Sequence, residues 1–157
     1  MRRNNFLLTV MTALVIINTA CTSENSLSFD HDFGKEMVWK EPVTWDWNVQ
    51  KNDHSYTLHL DLQCAVHYPY NKLPIEWTET DPLGNTISHE MDIVIRNEDG
   101  TFNGDKALDY LNFDIDLATS HQYAQFGTYH YSLAQKIGPH MEAPFMVEFE
   151  ITAKENH

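Results

Sequence analysis

The 157-residue chain carries a formal net charge of −13, and 42% hydrophobic with 12% aromatic residues suffices for one buried core. Ten basic against 23 acidic side chains exclude nucleic acid as a partner, since phosphate binding needs clustered Lys and Arg. The same balance excludes docking by charge on an anionic lipid surface.

Arg2 and Arg3 precede an apolar run from Phe6 to Ile17, and the small pair Thr19 and Ala20 precedes Cys21. A basic start, a short apolar middle and a small-residue cut site make a secretory signal too short to span a bilayer comfortably. Cys21 directly after the small pair looks like a bacterial lipobox, with Asn18 where Leu is usual. The pattern predicts a signal peptide over residues 1–20, cleavage before Cys21 and a diacylglycerol on its thiol. A plain secreted protein and an uncleaved anchor are the competing readings. Cleavage removes two positive charges, so the mature chain is still more acidic.

If Cys21 carries lipid, Cys64 stands alone and no internal disulfide forms. A Cys21–Cys64 bridge would require the tether to reach the core, and Cys64, on the leucine face of its strand, reads as a buried, inert thiol. Residues 21–28 are predicted as a lipidated tether without structure, and 29–157 as the folded domain. Phe33, Met37 and Trp39 could begin a strand, although Gly34 and Lys35 interrupt it.

Val43, Trp45, Trp47 and Val49 alternate with Thr44, Asp46 and Asn48, which predicts a half-buried strand. Two tryptophans so spaced could form a sugar-stacking platform; the flanking valines favour the core instead. Leu58, Leu60, Leu62, Cys64 and Val66 oppose His59, Asp61, Gln63 and Ala65 in the same way. An aromatic corner, Tyr68-Pro69-Tyr70-Asn71-Lys72, then leads to a strand from Leu73 to Thr78. Asp81-Pro82-Leu83-Gly84-Asn85 is a turn, followed by a strand from Thr86 to Arg96 that should be buried on both faces near its end. Asn97 to Asp105, rich in Gly, Asp and Asn, has the composition of a calcium loop. With Gly100 at the sixth position, Ile95 falls where the first carboxylate belongs and Lys106 where the closing Glu belongs, so a plain turn is expected. Alternating strands around Phe113–Leu117, Tyr129–Leu133 and Phe145–Ile151 complete the chain. No stretch reads as an amphipathic helix. The expected fold is a single antiparallel β-sandwich of about seven or eight strands, immunoglobulin-like or jelly-roll-like.

Chemistry is sparse. His59 and Asp61 share a strand face and are the weak candidates for a metal site, with a solvated polar face the simpler reading. Ser132 and His130 lack a third partner the sequence can name. Asp114 and Asp116 could pair as glycosidase carboxylates do, yet outward alternation on a strand is what any solvent face does. The expectation is no metal, no cofactor and no catalytic residue.

Three segments together resemble the gliding-motility lipoprotein GldH family of Bacteroidetes. Tyr68-Pro69-Tyr70-Asn71-Lys72-Leu73 resembles its Y-P-Y-S-N-L segment, and Asp99-Gly100-Thr101-Phe102-Asn103-Gly104 its D-G-x-W-x-G loop. Phe126-Gly127-Thr128-Tyr129 with Gln135-Lys136-Ile137 resembles its S-G-x-Y and Q-x-M-R stretch. Phe102 stands where the family usually has Trp, Lys136-Ile137 replaces Met-Arg, and Gln63-Cys64 lies near a usual Asn-Leu-Arg triplet. The resemblance implies a role in gliding motility beside the envelope secretion machinery, with envelope proteins as partners and no enzymatic activity. Tyr68, Tyr70 and Phe102 are then candidate contact residues. The alternative is a carbohydrate-binding lipoprotein using Trp45, Trp47 and the Tyr68/Tyr70 corner. Thr22 after the lipidated cysteine favours the outer membrane over retention at the inner one, on the periplasmic face because Glu24 is the only acid near the cysteine.

Overall fold

The computed structural model describes residues 26–33, 38–138 and 146–154. Cys21 and the expected signal peptide, Met37 and residues 139–145, Phe145 of the expected last strand among them, lie outside the described residues. Within them the chain forms nine strands and no helix: β1 (Ser26–Asp32), β2 (Val43–Val49), β3 (Ser55–Ala65), β4 (Lys72–Thr80), β5 (Thr86–Val94), β6 (Asp105–Ala107), β7 (Tyr110–His121), β8 (Gly127–Gln135) and β9 (Met146–Lys154). They build two antiparallel sheets, ordered β1-β9-β3-β7-β6 and β2-β8-β4-β5. The expected antiparallel β-sandwich is the fold.

The period of two that marks each strand is also what closes the two sheets. Leu58, Leu60, Leu62 and Cys64 from β3 meet Leu73, Ile75 and Trp77 from β4 and Tyr129, Tyr131 and Leu133 from β8 in one buried cluster. Apolar faces buried in this way are the main stabilising contribution of a sandwich. The aromatic corner does not close a hairpin, since β3 and β4 lie in different sheets. It carries the chain across the sandwich. The hairpin is instead β4–β5, whose turn is held by Asp81: its carboxylate accepts the amides of Leu83 and Asn85, each at 2.8 Å.

Two expectations need correction. β1 begins at Ser26 and pairs with β9 from Ser26↔Thr152 to Asp32↔Met146, so Ser26 to Ser28 belong to the sheet and the tether ends earlier than residue 28. Alternation of Leu27 and Phe29 with Ser28 and Asp30 was the signal, hidden by polar neighbours. The strand after the turn is also not buried on both faces. Ile93 and Ile95 are buried and Val94 is half-buried, but β5 is the edge of its sheet and most of it is exposed.

Candidate functional site

The aromatic corner and the Asn97–Asp105 loop meet through one side chain, Arg96. Its Nη2 donates to the carbonyls of Tyr68 at 2.7 Å and Val66 at 3.0 Å. Its guanidinium lies 5.3 Å from the centroid of the Phe102 ring, within cation–π range. The backbone ties the same pieces, because the amides of Ile95 and Arg96 both donate to the carbonyl of Asn71. Arg96 is the one arginine besides Arg2 and Arg3, and that solitude is the available signal for a residue that alternation does not mark. Planar, multiply donating guanidinium suits the task of satisfying carbonyls where a chain leaves a sheet.

Around Arg96 the predicted contact residues take different positions. Tyr68 is buried, with Tyr70 edge-on to it at 5.6 Å, while Tyr70 and Phe102 are half-buried. Leu108 is 91% exposed beside them, at the β6–β7 turn, where the amide of Val66 bonds Asp109. Gly104 explains the last glycine of the loop: a Cβ there would lie 2.7 Å from the Phe113 ring and 2.9 Å from the carbonyl of Asn112. Only a residue without a side chain lets the loop cross β7 so closely. The carboxylate of Asp99 holds the turn itself, accepting the amide and hydroxyl of Thr101 at 2.9 and 2.6 Å, and these bonds keep its pKa below the usual carboxylate value. Beneath the corner, burial pushes the Cys64 thiol up to about 12, against the lowering charge of Arg96. Such a thiol is inert.

Trp45 and Trp47 do not offer a stacking surface. They are only 6% and 9% exposed. Trp45 stacks between Phe29 and Tyr131, 5.6 Å from each, and Trp47 packs edge-on to Tyr56. The valines flanking them point into the same core, which is why the carbohydrate platform fails.

On the outer face of the larger sheet, β7 brings Asp114 and Asp116 to the candidate pair on β3. His59 Nε2 lies 3.0 Å from Asp114 and 3.5 Å from Asp61, and its Nδ1 lies 3.1 Å from Asp116. Donor atoms of His59, Asp61 and Asp114 all fall within 4.8 Å of one another. Partial burial lowers the His59 pKa, but the hydrogen bond with Asp116 and the charges of Asp114, Asp61 and Asp116 outweigh it and hold it above the ordinary 6.5. Doubly protonated imidazole donates from both nitrogens and so satisfies two of the carboxylates at once. His130 has a partner too, Asp46 at 2.6 Å, on the exposed face of the smaller sheet; no hydrogen bond joins Ser132 to it.

A second residue escaped the sequence reading. Glu79 follows Leu73, Ile75 and Trp77 on the inward face of β4 and is buried with them. Tyr123 and Tyr131 hydroxyls are 2.7 Å apart, and Tyr131 donates to Glu79 Oε2 at 2.6 Å, so the chain of donors runs Tyr123 to Tyr131 to Glu79. His121 Nε2 lies 2.9 Å from the same oxygen, close enough to pair by charge but without hydrogen-bond alignment. Burial holds both tyrosines un-ionised, far above their ordinary value.

Residues 31–141 match the GldH lipoprotein family, which is well over half of the chain. The chain belongs to the GldH lipoprotein family. No curated protein and no solved structure matches it. Within a GldH sandwich, then, the Y-P-Y corner and the D-G-x-F-x-G loop are one structural unit clasped by Arg96, and membership makes this a membrane-anchored lipoprotein of the cell envelope.

Proposed function

We propose that this GldH-family lipoprotein is non-catalytic and serves the gliding and secretion machinery of the envelope through protein contacts. Acylation of Cys21 would hold it on the periplasmic face of the outer membrane, with residues 1–20 removed. The observation that carries the reading is the convergence of two family segments on Arg96. Their aromatic side chains, Tyr70 and Phe102, and the exposed Leu108 lie on connections at the same end of the sandwich. Aromatic and arginine side chains gathered on a fixed frame are what protein interfaces use as anchors.

The test is co-isolation from intact membranes of the native host, with Cys21→Ala and Phe102→Ala alongside the wild type. Wild type should stay in the membrane fraction and bring down a defined set of envelope proteins. Cys21→Ala should lose membrane retention, and Phe102→Ala should keep retention while losing partners. Full retention and unchanged partners for Cys21→Ala would overturn the reading.

A further inference from the structure

The two open sides of the sandwich are not alike. On one side β1 lies over β2, and every inward residue of β2 is buried. On the other side β5 is the last strand of the smaller sheet, and its counterpart in the larger sheet is β6, only three residues long. Register puts Ile93, Met91, His89 and Ile87 on the inward face, opposite Leu73, Ile75, Trp77 and Glu79. Burial fades along that row: Ile93 is buried, Met91 half-buried, His89 exposed, and Ile87 is 47% exposed. His89 stacks on Trp77 at 4.3 Å. Across the gap, Phe113 on β7 is buried while Ile115 and Leu117 remain half-exposed.

Beyond Asn112, no described residue pairs with β7 on the side where β6 stops. Between β5 and β7 at that point lies a cavity of about 380 Å³, lined among others by Met91, Ile93, Gly104, Phe113, Asp114 and Ile115. From Phe113 to Ala118 the edge is six residues, roughly 20 Å of strand; its register against β3 shifts between Asp116 and Ala118, and up to Asp116 its outward amides and carbonyls can take a regular ladder. Asp105, Asp114 and Asp116 stand exposed along its rim, with Asp92 across from them held by Lys72 at 3.2 Å. One histidine, His59, serves Asp114 and Asp116 together with Asp61, and the register sets Glu148 and Glu150 of β9 opposite Asp61 and His59.

We infer that this slot receives an extended segment of a partner protein, with alternating apolar and basic residues, as a strand added to β7 in line with β6. Apolar side chains of the segment would cover Met91, Ile115, Leu117 and Ile87, and its backbone would extend the ladder. Its basic side chains would face the acidic rim. A second copy of this chain is disfavoured, since pairing β7 on β7 would oppose aspartates of two molecules that each carry −13. The inference rests on the partner-contact reading above and names the chemistry of one such contact.

The test uses the full-length lipoprotein in mild detergent and a fluorescent probe peptide, Lys-Val-Lys-Ile-Lys-Val-Lys-Ile, with a copy N-methylated at alternate residues. The peptide should bind and slow exchange of the outward-facing amides between Phe113 and Ala118 by at least about tenfold, since only those would enter the new ladder. N-methylation should weaken binding at least about tenfold by removing ladder donors. Raised salt should weaken it too. Ile87→Lys with Met91→Lys should lose binding without losing the thermal transition, as both positions are open enough for lysine to reach solvent. Failure of the peptide to bind, binding with unprotected β7 amides, or indifference to N-methylation would each overturn the slot. So would a concentration-dependent dimer that protects the same amides. If the double-lysine variant brings down the wild-type set of envelope proteins, the slot is wrong and the partner reading stands. If wild type brings down none, the partner reading itself falls.

Discussion

Of the histidines that lie against carboxylates, His121 and His59 do so in surroundings that give the same chemistry opposite weights. His121 meets Glu79 inside the sandwich, with the two side chains 16% and 7% exposed. His59 meets Asp61, Asp114 and Asp116 on an outer sheet face, where those carboxylates are 47%, 84% and 53% exposed. Buried charge loses hydration and depends on its partners, whereas solvent screens the surface group and replaces any lost contact. One cluster should therefore govern stability, and the other should respond to pH with little effect on it.

Glu79→Ala is the largest break in this comparison. It strips Tyr131 of its acceptor and leaves a cavity among aromatic rings beside His121, and should destabilise the domain by about 3 kcal/mol. Urea unfolding should show a lower midpoint with an unchanged slope. A loss below about 0.5 kcal/mol would mean that the buried group behaves like a surface pair.

Tyr131→Phe is milder. It keeps the stack on Trp45 and removes only the hydroxyl that links Tyr123 to Glu79. The expected loss is about 1–2 kcal/mol, because a buried carboxylate and a buried phenol each lose one bond. Tyr123→Phe should cost less, since Glu79 retains its donor.

Sequence patterning made most of this fold legible, and the exceptions follow from what patterning measures. Alternation located β2, β3, β4, β7, β8 and β9 because each carries at least three apolar residues at every second position. β6 could not be read, since three residues span less than two periods and all three are exposed. Sheet membership was equally hidden: the corner at Tyr68 reads the same whether the chain turns back or crosses over. Of the site residues, His59 and Asp61 were visible as a pair, but Asp114 and Asp116 joined them only through the β3–β7 register, Asp61↔Asp114 and His59↔Asp116. Glu79 was missed for a different reason. A charged residue ends an apolar ladder in sequence, and only its tyrosine neighbours, some 50 residues away, make burial tolerable.

His59→Gln should show the smallest effect and the clearest pH signature. The folded-state pKa lies above the ordinary 6.5, so the charged histidine stabilises the folded form fully below that ordinary value. The contribution fades as pH rises through the folded-state pKa. Wild type should thus melt above His59→Gln below pH 6.5, with the gap closing as pH rises through the folded-state pKa, and the whole difference should stay under about 1 kcal/mol because the partner carboxylates are exposed. Titration of the His59 ring by NMR gives the companion measurement: Asp116→Asn removes a charge and turns a charge-assisted hydrogen bond into a weaker neutral one, and should move the midpoint down, while Asp61→Asn, acting through charge alone, should move it less. Equal shifts from the two variants would assign the effect to the summed field of the acidic face rather than to the bond at Nδ1.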